Sequence, residues 1–207
     1  MYLPDAFADP RPQTVERLLR EHPLGLLVVH VNGQMEGNHL PWVFDPSVGP
    51  HGVLRGHVAR AHGFWSACPQ QMPALVVFQG VQGYISPNGM PSKQATHRQV
   101  PTWNYEAVHM QGTLHLRDDP RFVRGVLAQL TRTHEATQNS PWKMGDAPPD
   151  YLDEMIARVI GVEVTVASVQ VKAKLSQNKS AEDRAGLVQA LQAQGRLDLA
   201  QAMRSAM

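Results

Sequence analysis

The chain has 207 residues, 43% of them hydrophobic, which is enough to bury one substantial core. Nineteen Lys and Arg against eighteen Asp and Glu leave a formal charge of +1, so no long-range field draws the chain to nucleic acid or an anionic membrane. The lone cysteine, Cys68, excludes an internal disulfide and a cysteine-rich metal cluster, and the N-terminus has no basic region leading into an apolar stretch. No run approaches the roughly 18 apolar residues of a membrane span, and the expectation is a cytoplasmic protein with no membrane partner.

After a proline-punctuated arm, Thr14 is placed to cap a short helix with Val15, Leu18 and Leu19 on its apolar face. Residues 24–31 read as a strand. Asn32-Gly33 then marks a type I′ hairpin turn, because both residues tolerate positive φ, and a return strand is expected over 35–44. Residues 53–58 read as another strand and 59–67 as a short helix stopped by Pro69. The apolar run 74–78 predicts a strand buried on both faces, with Gly80 allowing a turn into residues 82–86. Residues 87–99, rich in Pro, Ser, Gly and Gln, read as a loop.

A long strand pair is expected over 102–116, with Tyr105, Ala107, His109, Gln111, Thr113 and His115 sharing one face. Pro120 opens a helix through residue 137 whose stripe is Phe122, Val123, Val126, Leu127 and Leu130. A shorter helix over 151–159, a β-branched strand over 162–171 and an amphipathic closing helix over 181–193, within a C-terminal helical region of about 180–206, complete the chain. The sum is mainly β with peripheral helices, in one domain over 1–207; six or seven mostly antiparallel strands predict a closed barrel. Strands and helices do not alternate as a doubly wound fold requires, and no Gly-rich fingerprint follows a strand.

Three segments carry polar chemistry. His57 and Arg60 stand at an expected strand-to-helix junction, where backbone N–H groups face an anion and an Arg fork grips phosphate; a solvated Arg and a packed His are the plain alternative. The run Val100-Pro101-Thr102-Trp103-Asn104-Tyr105 mixes aromatic and amide groups where a loop enters a strand, which suits a flavin ring with its apolar face and hydrogen-bonding edge, or else fills a core. Lys172, Lys174, Gln177, Asn178 and Lys179 gather ammonium and amide groups after the last strand, for a phosphate, a partner's acidic surface or solvent. The ten histidines show no metal-ligand spacing, although a single axial haem ligand would leave none. A Gly-x-Ser-x-Gly elbow and a phosphate-binding Gly-x-x-x-x-Gly-Lys loop are both absent.

Ordered matches run the length of the chain: Met1-Tyr2-x-Pro4-x-x-Phe7, His39-Leu40-Pro41, Gly56-His57-Val58-Ala59-Arg60-Ala61, Tyr84-Ile85-Ser86-Pro87, Lys93, Val100 to His109, Pro141-Trp142, Asp146-Ala147-Pro148 and Lys174-Leu175-Ser176-Gln177-Asn178-Lys179. On these residues the sequence resembles the PaiB-like FMN-binding negative transcriptional regulators of the FMN-binding split-barrel superfamily. The resemblance implies a split β-barrel homodimer with FMN at the subunit interface. It implies cofactor-binding roles for His57, Arg60, Lys93, Thr102, Trp103, Asn104, Lys174, Gln177 and Lys179, and it is the sole source of a regulatory or DNA-linked role. Departures are the Asn88-Gly89-Met90 stretch where the family carries an aromatic pair, Ala61-His62-Gly63 for Ala-Asn-Pro, and Ala173 in place of an aromatic residue. The alternatives are an FMN-dependent oxidoreductase of a small molecule and a haem-handling or cofactor-free binding module. No residue stands out as a catalytic acid or base.

Overall fold

A computed structural model describes residues 1–9 and 11–206. The helices are α1 (Pro12–Glu21), α2 (Gly63–Ser66), α3 (Pro91–Thr96), α4 (Pro120–Glu135), α5 (Pro149–Ala157), α6 (Ala181–Ala193) and α7 (Leu197–Ser205). The strands are β1 (Leu24–Val31), β2 (Gln34–Pro41), β3 (Val43–Asp45), β4 (Val53–Ala59), β5 (Gln71–Ile85), β6 (Thr102–Arg117) and β7 (Val159–Lys174). They hydrogen-bond in the order β2-β1-β5-β6-β7-β4-β3. The fold is mainly antiparallel β with helices, as the periodicities predict. The chain divides into two compact units, and β5, β6 and β7 contribute to both: unit 1 holds residues 1–21, 79–108 and 170–207, unit 2 residues 22–78 and 109–169.

In unit 2, β1 starts and ends at the expected residues 24 and 31, with Leu27, Val29 and Val31 buried. Asn32 and Gly33 adopt φ of 52° and 78°, the positive pair that a type I′ turn demands. The return strand expected over 35–44 breaks at Trp42, whose backbone N–H donates to Pro23 O and whose buried indole N–H donates to Gly25 O, leaving β2 and β3 as separate strands. The run 74–78 is not buried on both faces: Ala74, Val76 and Phe78 point inward, while Leu75 and Val77 are half-buried. β4 pairs with β7 from Val53↔Thr165 to Ala59↔Val159. Gly112 of β6 is held to glycine by contact, since a Cβ there would lie 2.1 Å from the Thr165 carbonyl oxygen. Asp119 caps α4 by accepting from Arg121 N, with Pro120 at the first helical position, and Val126 and Leu130 pack on Val43.

In unit 1, α1 begins before Thr14. Its entry is held by Asp9, whose carboxylate accepts from Arg11 N and from the Thr14 hydroxyl at 2.9 Å, so Thr14 lies inside the helix rather than capping it. β5 runs straight through Gly80 without the expected turn; a Cβ at that position would lie 2.8 Å from Leu18 Cδ2 and 3.0 Å from Glu106 Cβ, so the glycine serves close packing. The expected loop over 87–99 contains α3, opened by Pro91 and ended by His97 at φ 54°. The C-terminal region is two helices, with Gly195 at φ 74° between them. They cover a core of Ile85, Met90, Leu175, Leu187, Leu191, Leu199 and Met203. Direct seating of α6 on the Asn88-Gly89 turn needs two glycines, because a Gly186 Cβ would lie 2.1 Å from Gly89 O.

Candidate functional site

The nine expected cofactor-binding residues fall into two groups. His57 and Arg60 belong to unit 2; Lys93, Thr102, Trp103, Asn104, Lys174, Gln177 and Lys179 belong to unit 1.

In unit 2 the helix expected over 59–67 is reduced to α2, capped by the His62 imidazole, which accepts from Phe64 N. Arg60 therefore does not stand at a helix start, and its N–H donates to Arg158 O at 2.9 Å. Four of its five guanidinium N–H donors are engaged: Nη1 and Nη2 grip the Asp118 carboxylate, Nε donates to Ala157 O at 2.9 Å and Nη2 also to Val159 O at 3.2 Å. That arrangement fastens the end of β4 to the junction of α5 and β7. His57, opposite Gly161 in the β4–β7 register, has a buried Nδ1 with no hydrogen-bond partner among the described residues. Burial pushes the His57 imidazole below its ordinary pKa, so it stays neutral and can offer or accept one bond there.

In unit 1 the start of β6 and the end of β7 form a connected cluster. Lys174 Nζ donates to the Thr102 hydroxyl and, at 2.8 Å, to Trp103 O. Trp103 is 48% exposed, and its indole N–H is held by Gln82 Oε1 at 3.1 Å. Asn104 is fully buried and exchanges hydrogen bonds with the Ser176 hydroxyl at 2.9 and 3.2 Å. Ser176 sits at φ 68°, a left-handed turn that Gln177 ties down by accepting from Leu175 N and donating to Ala173 O. Asn104 thus pins the Ser176 side chain and Gln177 the backbone around it, while Thr102 and Lys174 are half-buried and Trp103 is exposed.

Lys179 Nζ donates to Gln99 Oε1 at 2.7 Å; Gln99 in turn donates to Ser92, which donates twice to Asp183. The Ser92 hydrogen bonds hold the Asp183 carboxyl below its ordinary pKa. Lys93, next in sequence on α3, is half-buried and its ammonium makes no hydrogen bond among the described residues.

Several contributors were not legible in the sequence. Asp118 had no signal beyond the acidic pair ahead of Pro120, and Gln82 had none. Arg184, on the first turn of α6, has a buried Nε without a partner. Lys172 is not a solvated strand end: it is buried, donates to Tyr2 O at 2.9 Å and lies over the rings of Tyr2 and Tyr105 at 5.5 and 5.4 Å. No helix among the described residues is long and apolar enough to cross a membrane.

Residues 1–168 match the family model FMN_bind_2, described as "Putative FMN-binding domain". A Bacillus subtilis relative, "Protease synthase and sporulation protein PAI 2", is 28% identical, with 93% of this chain and 89% of that protein covered. An uncharacterized protein of Emericella nidulans is 29% identical over 91% and 89% of the two chains. Among solved structures, the flavocytochrome Anf3 from Azotobacter vinelandii aligns with a TM-score of 0.61 at 15% identity, covering 86% of this chain and 75% of that one. The FAD and heme binding protein from Mycobacterium smegmatis aligns with a TM-score of 0.60 at 15% identity, covering 86% and 78%. The fold is the split-barrel type expected from the resemblance.

Proposed function

The chain belongs to the FMN_bind_2 family of FMN-binding domains, and we propose that it is a flavin-binding protein whose unit 1 meets the flavin through Thr102, Trp103 and Lys174. The observation that carries this reading is the Lys174 ammonium, tied to Thr102 and to Trp103 O beside a half-exposed indole. A flavin has an apolar face that an indole covers and a carbonyl-rich edge on which negative charge accumulates, which an ammonium and a hydroxyl stabilise. The donor set fits that group. Bound FMN supplies one- and two-electron redox chemistry; the chain supplies orientation and charge.

Lys93, Lys179 and Arg184 are unit 1 cations with donors left for a phosphate, and the buried His57 Nδ1 is an open donor or acceptor in unit 2. Arg60 enters as a brace, because Asp118 already fills its fork. The homodimeric state, with FMN at the subunit interface, follows the family resemblance, and light scattering of the purified protein tests it. The regulatory role rests on the same resemblance and on the name of the Bacillus subtilis relative; a net charge of +1 favours an indirect effect over direct DNA reading.

The primary test is the absorbance spectrum of purified protein, followed by FMN titration of the flavin-free form. We expect flavin bands, and a loss of affinity of about tenfold or more for Lys174→Met, the size of one charge-assisted bond. Absence of flavin bands together with no saturable FMN uptake overturns the reading. NADH oxidation by the loaded protein would place it among flavin oxidoreductases, and a specific promoter shift without turnover among regulators.

A further inference from the structure

A second candidate site lies in unit 2, on residues that the flavin reading does not use. Between the last turn of α4 and residues 141–144 is a cleft of about 350 Å3. That volume is at the lower end of the roughly 300–1,000 Å3 of small-molecule pockets. One wall is the indole of Trp142, 42% exposed; Ala128 and Met144 add apolar surface, and Arg132, Glu135 and Lys143 stand around it.

The wall is held in place rather than draped. Trp142 N donates to Glu135 Oε2 at 2.8 Å, which fastens the segment to α4. The next residue, Lys143, donates its backbone N–H to Asp146 Oδ2 at 2.8 Å, which fixes the segment's exit. The Trp142 ring stacks on no other ring among the described residues. Trp142 therefore lines the cleft from a backbone segment tied at both ends.

The charges select a ligand. Arg132 and Lys143 form no ion pair among the described residues, whereas the one carboxylate of the cleft, Glu135, has one oxygen taken by the Trp142 backbone N–H. The C-terminal end of α4 and Glu135 both carry negative potential into the cleft, which disfavours a compact dianion such as phosphate. A single negative charge at the Arg132–Lys143 rim, attached to a flat apolar body that lies on Trp142, pairs the two cations without the second charge that Glu135 and the α4 terminus would oppose.

We propose that this cleft binds a small aromatic monocarboxylate, its ring on Trp142 and its carboxylate on the Arg132 fork with Lys143 beside it. The site is independent of the flavin reading.

The test is fluorine NMR of 4-fluorobenzoate with the full chain, with and without saturating FMN, and with the neutral 4-fluorobenzamide as control. Saturable binding of the benzoate is expected in both flavin states, with the amide weaker by about tenfold, the size of one charge-assisted interaction. Arg132→Gln should lower benzoate affinity to about that of the amide, and Trp142→Ala should weaken both probes, while Tm and FMN affinity stay unchanged in both variants. Both substituted side chains are exposed, so neither change removes core. Equal binding of the two probes, undiminished binding in both variants, or no saturable benzoate binding overturns the proposal.

Discussion

Replacing Arg60 with Ala separates a brace from a phosphate grip. The substitution removes a bidentate pair with Asp118 and two bonds to the carbonyls of Ala157 and Val159. The ion pair is open to solvent, with side-chain exposures of 42% and 58%, so its own worth is about 0.2–1 kcal/mol. Each carbonyl bond adds roughly 0.5–1.5 kcal/mol, and those carbonyls remain partly solvated after the substitution. The expected loss is about 2 kcal/mol, or a Tm lower by roughly 4–8 °C for a chain of this size. Asp118→Asn alone should cost less than about 1 kcal/mol, and the double variant should show a coupling of about 0.5 kcal/mol in urea unfolding. FMN titration of the same variants should give Kd values within about threefold of the parent. If Arg60→Ala left Tm unchanged while weakening FMN by tenfold, and Asp118→Asn tightened FMN, the fork would be a phosphate ligand with Asp118 as a placeholder, and the brace would be refuted.

Acid sensitivity should follow Glu163. Burial pushes its carboxyl up, but Arg117 and Arg55 outweigh that and hold it below the ordinary range, so the folded pKa lies under the unfolded one. The stabilisation is present above the ordinary carboxylate range, near pH 4.3, and disappears as pH falls through the folded value. Glu163→Gln should cost about 2 kcal/mol at pH 7 and flatten the acid limb of a Tm-against-pH curve. His57 adds a milder slope: burial lowers its pKa, the unfolded chain takes the proton first, and stability drops as pH falls below about 6.5, then levels off below the folded value. His57→Gln should reduce that slope in the same scan, and His109, which burial also pushes down, should carry the rest. Gly112→Ala forces a Cβ against the Thr165 carbonyl and should cost on the order of 3 kcal/mol, seen as a lower urea midpoint.

What was legible in the sequence was what local chemistry alone decides. The β1 boundaries follow from the apolar run 24–31, the hairpin from Asn32-Gly33, and the α4 start from Pro120. The misread elements depend on residues far away in sequence. Gly80 looks like a turn, yet it is glycine because Leu18 and Glu106 press on β5. Residues 91–96 look like loop, yet Ser92 bonds to Asp183, ninety-one positions on, at the helix start. The helix expected from Ala59 gives way to β4, which stays paired with β7 through Ala59↔Val159, with Arg60 N bonded to Arg158 O just beyond. The candidate site was legible as residue types in the Thr102-Trp103-Asn104 run, while its partners Gln82 and Ser176 were not, because a lone Gln on a strand and a Ser in a turn carry no signal of their own.

The placement of the candidate flavin contacts also bears on what counts as the binding unit. The family match ends at residue 168, inside β7, whereas Lys174, Gln177 and Lys179 lie beyond it. Those later residues are not an appendage to a finished site. Asn104 is fully buried, and among the described residues the only side chain it bonds is Ser176; removing the tail would leave the amide without that partner at the strand that carries Trp103. Ile85 and Met90 would lose Leu187, Leu191, Leu199 and Met203 in the same step. The polar cluster and the C-terminal core therefore stand or fall together, and the smallest piece of this chain that can present Thr102, Trp103 and Lys174 as a set must extend through α7.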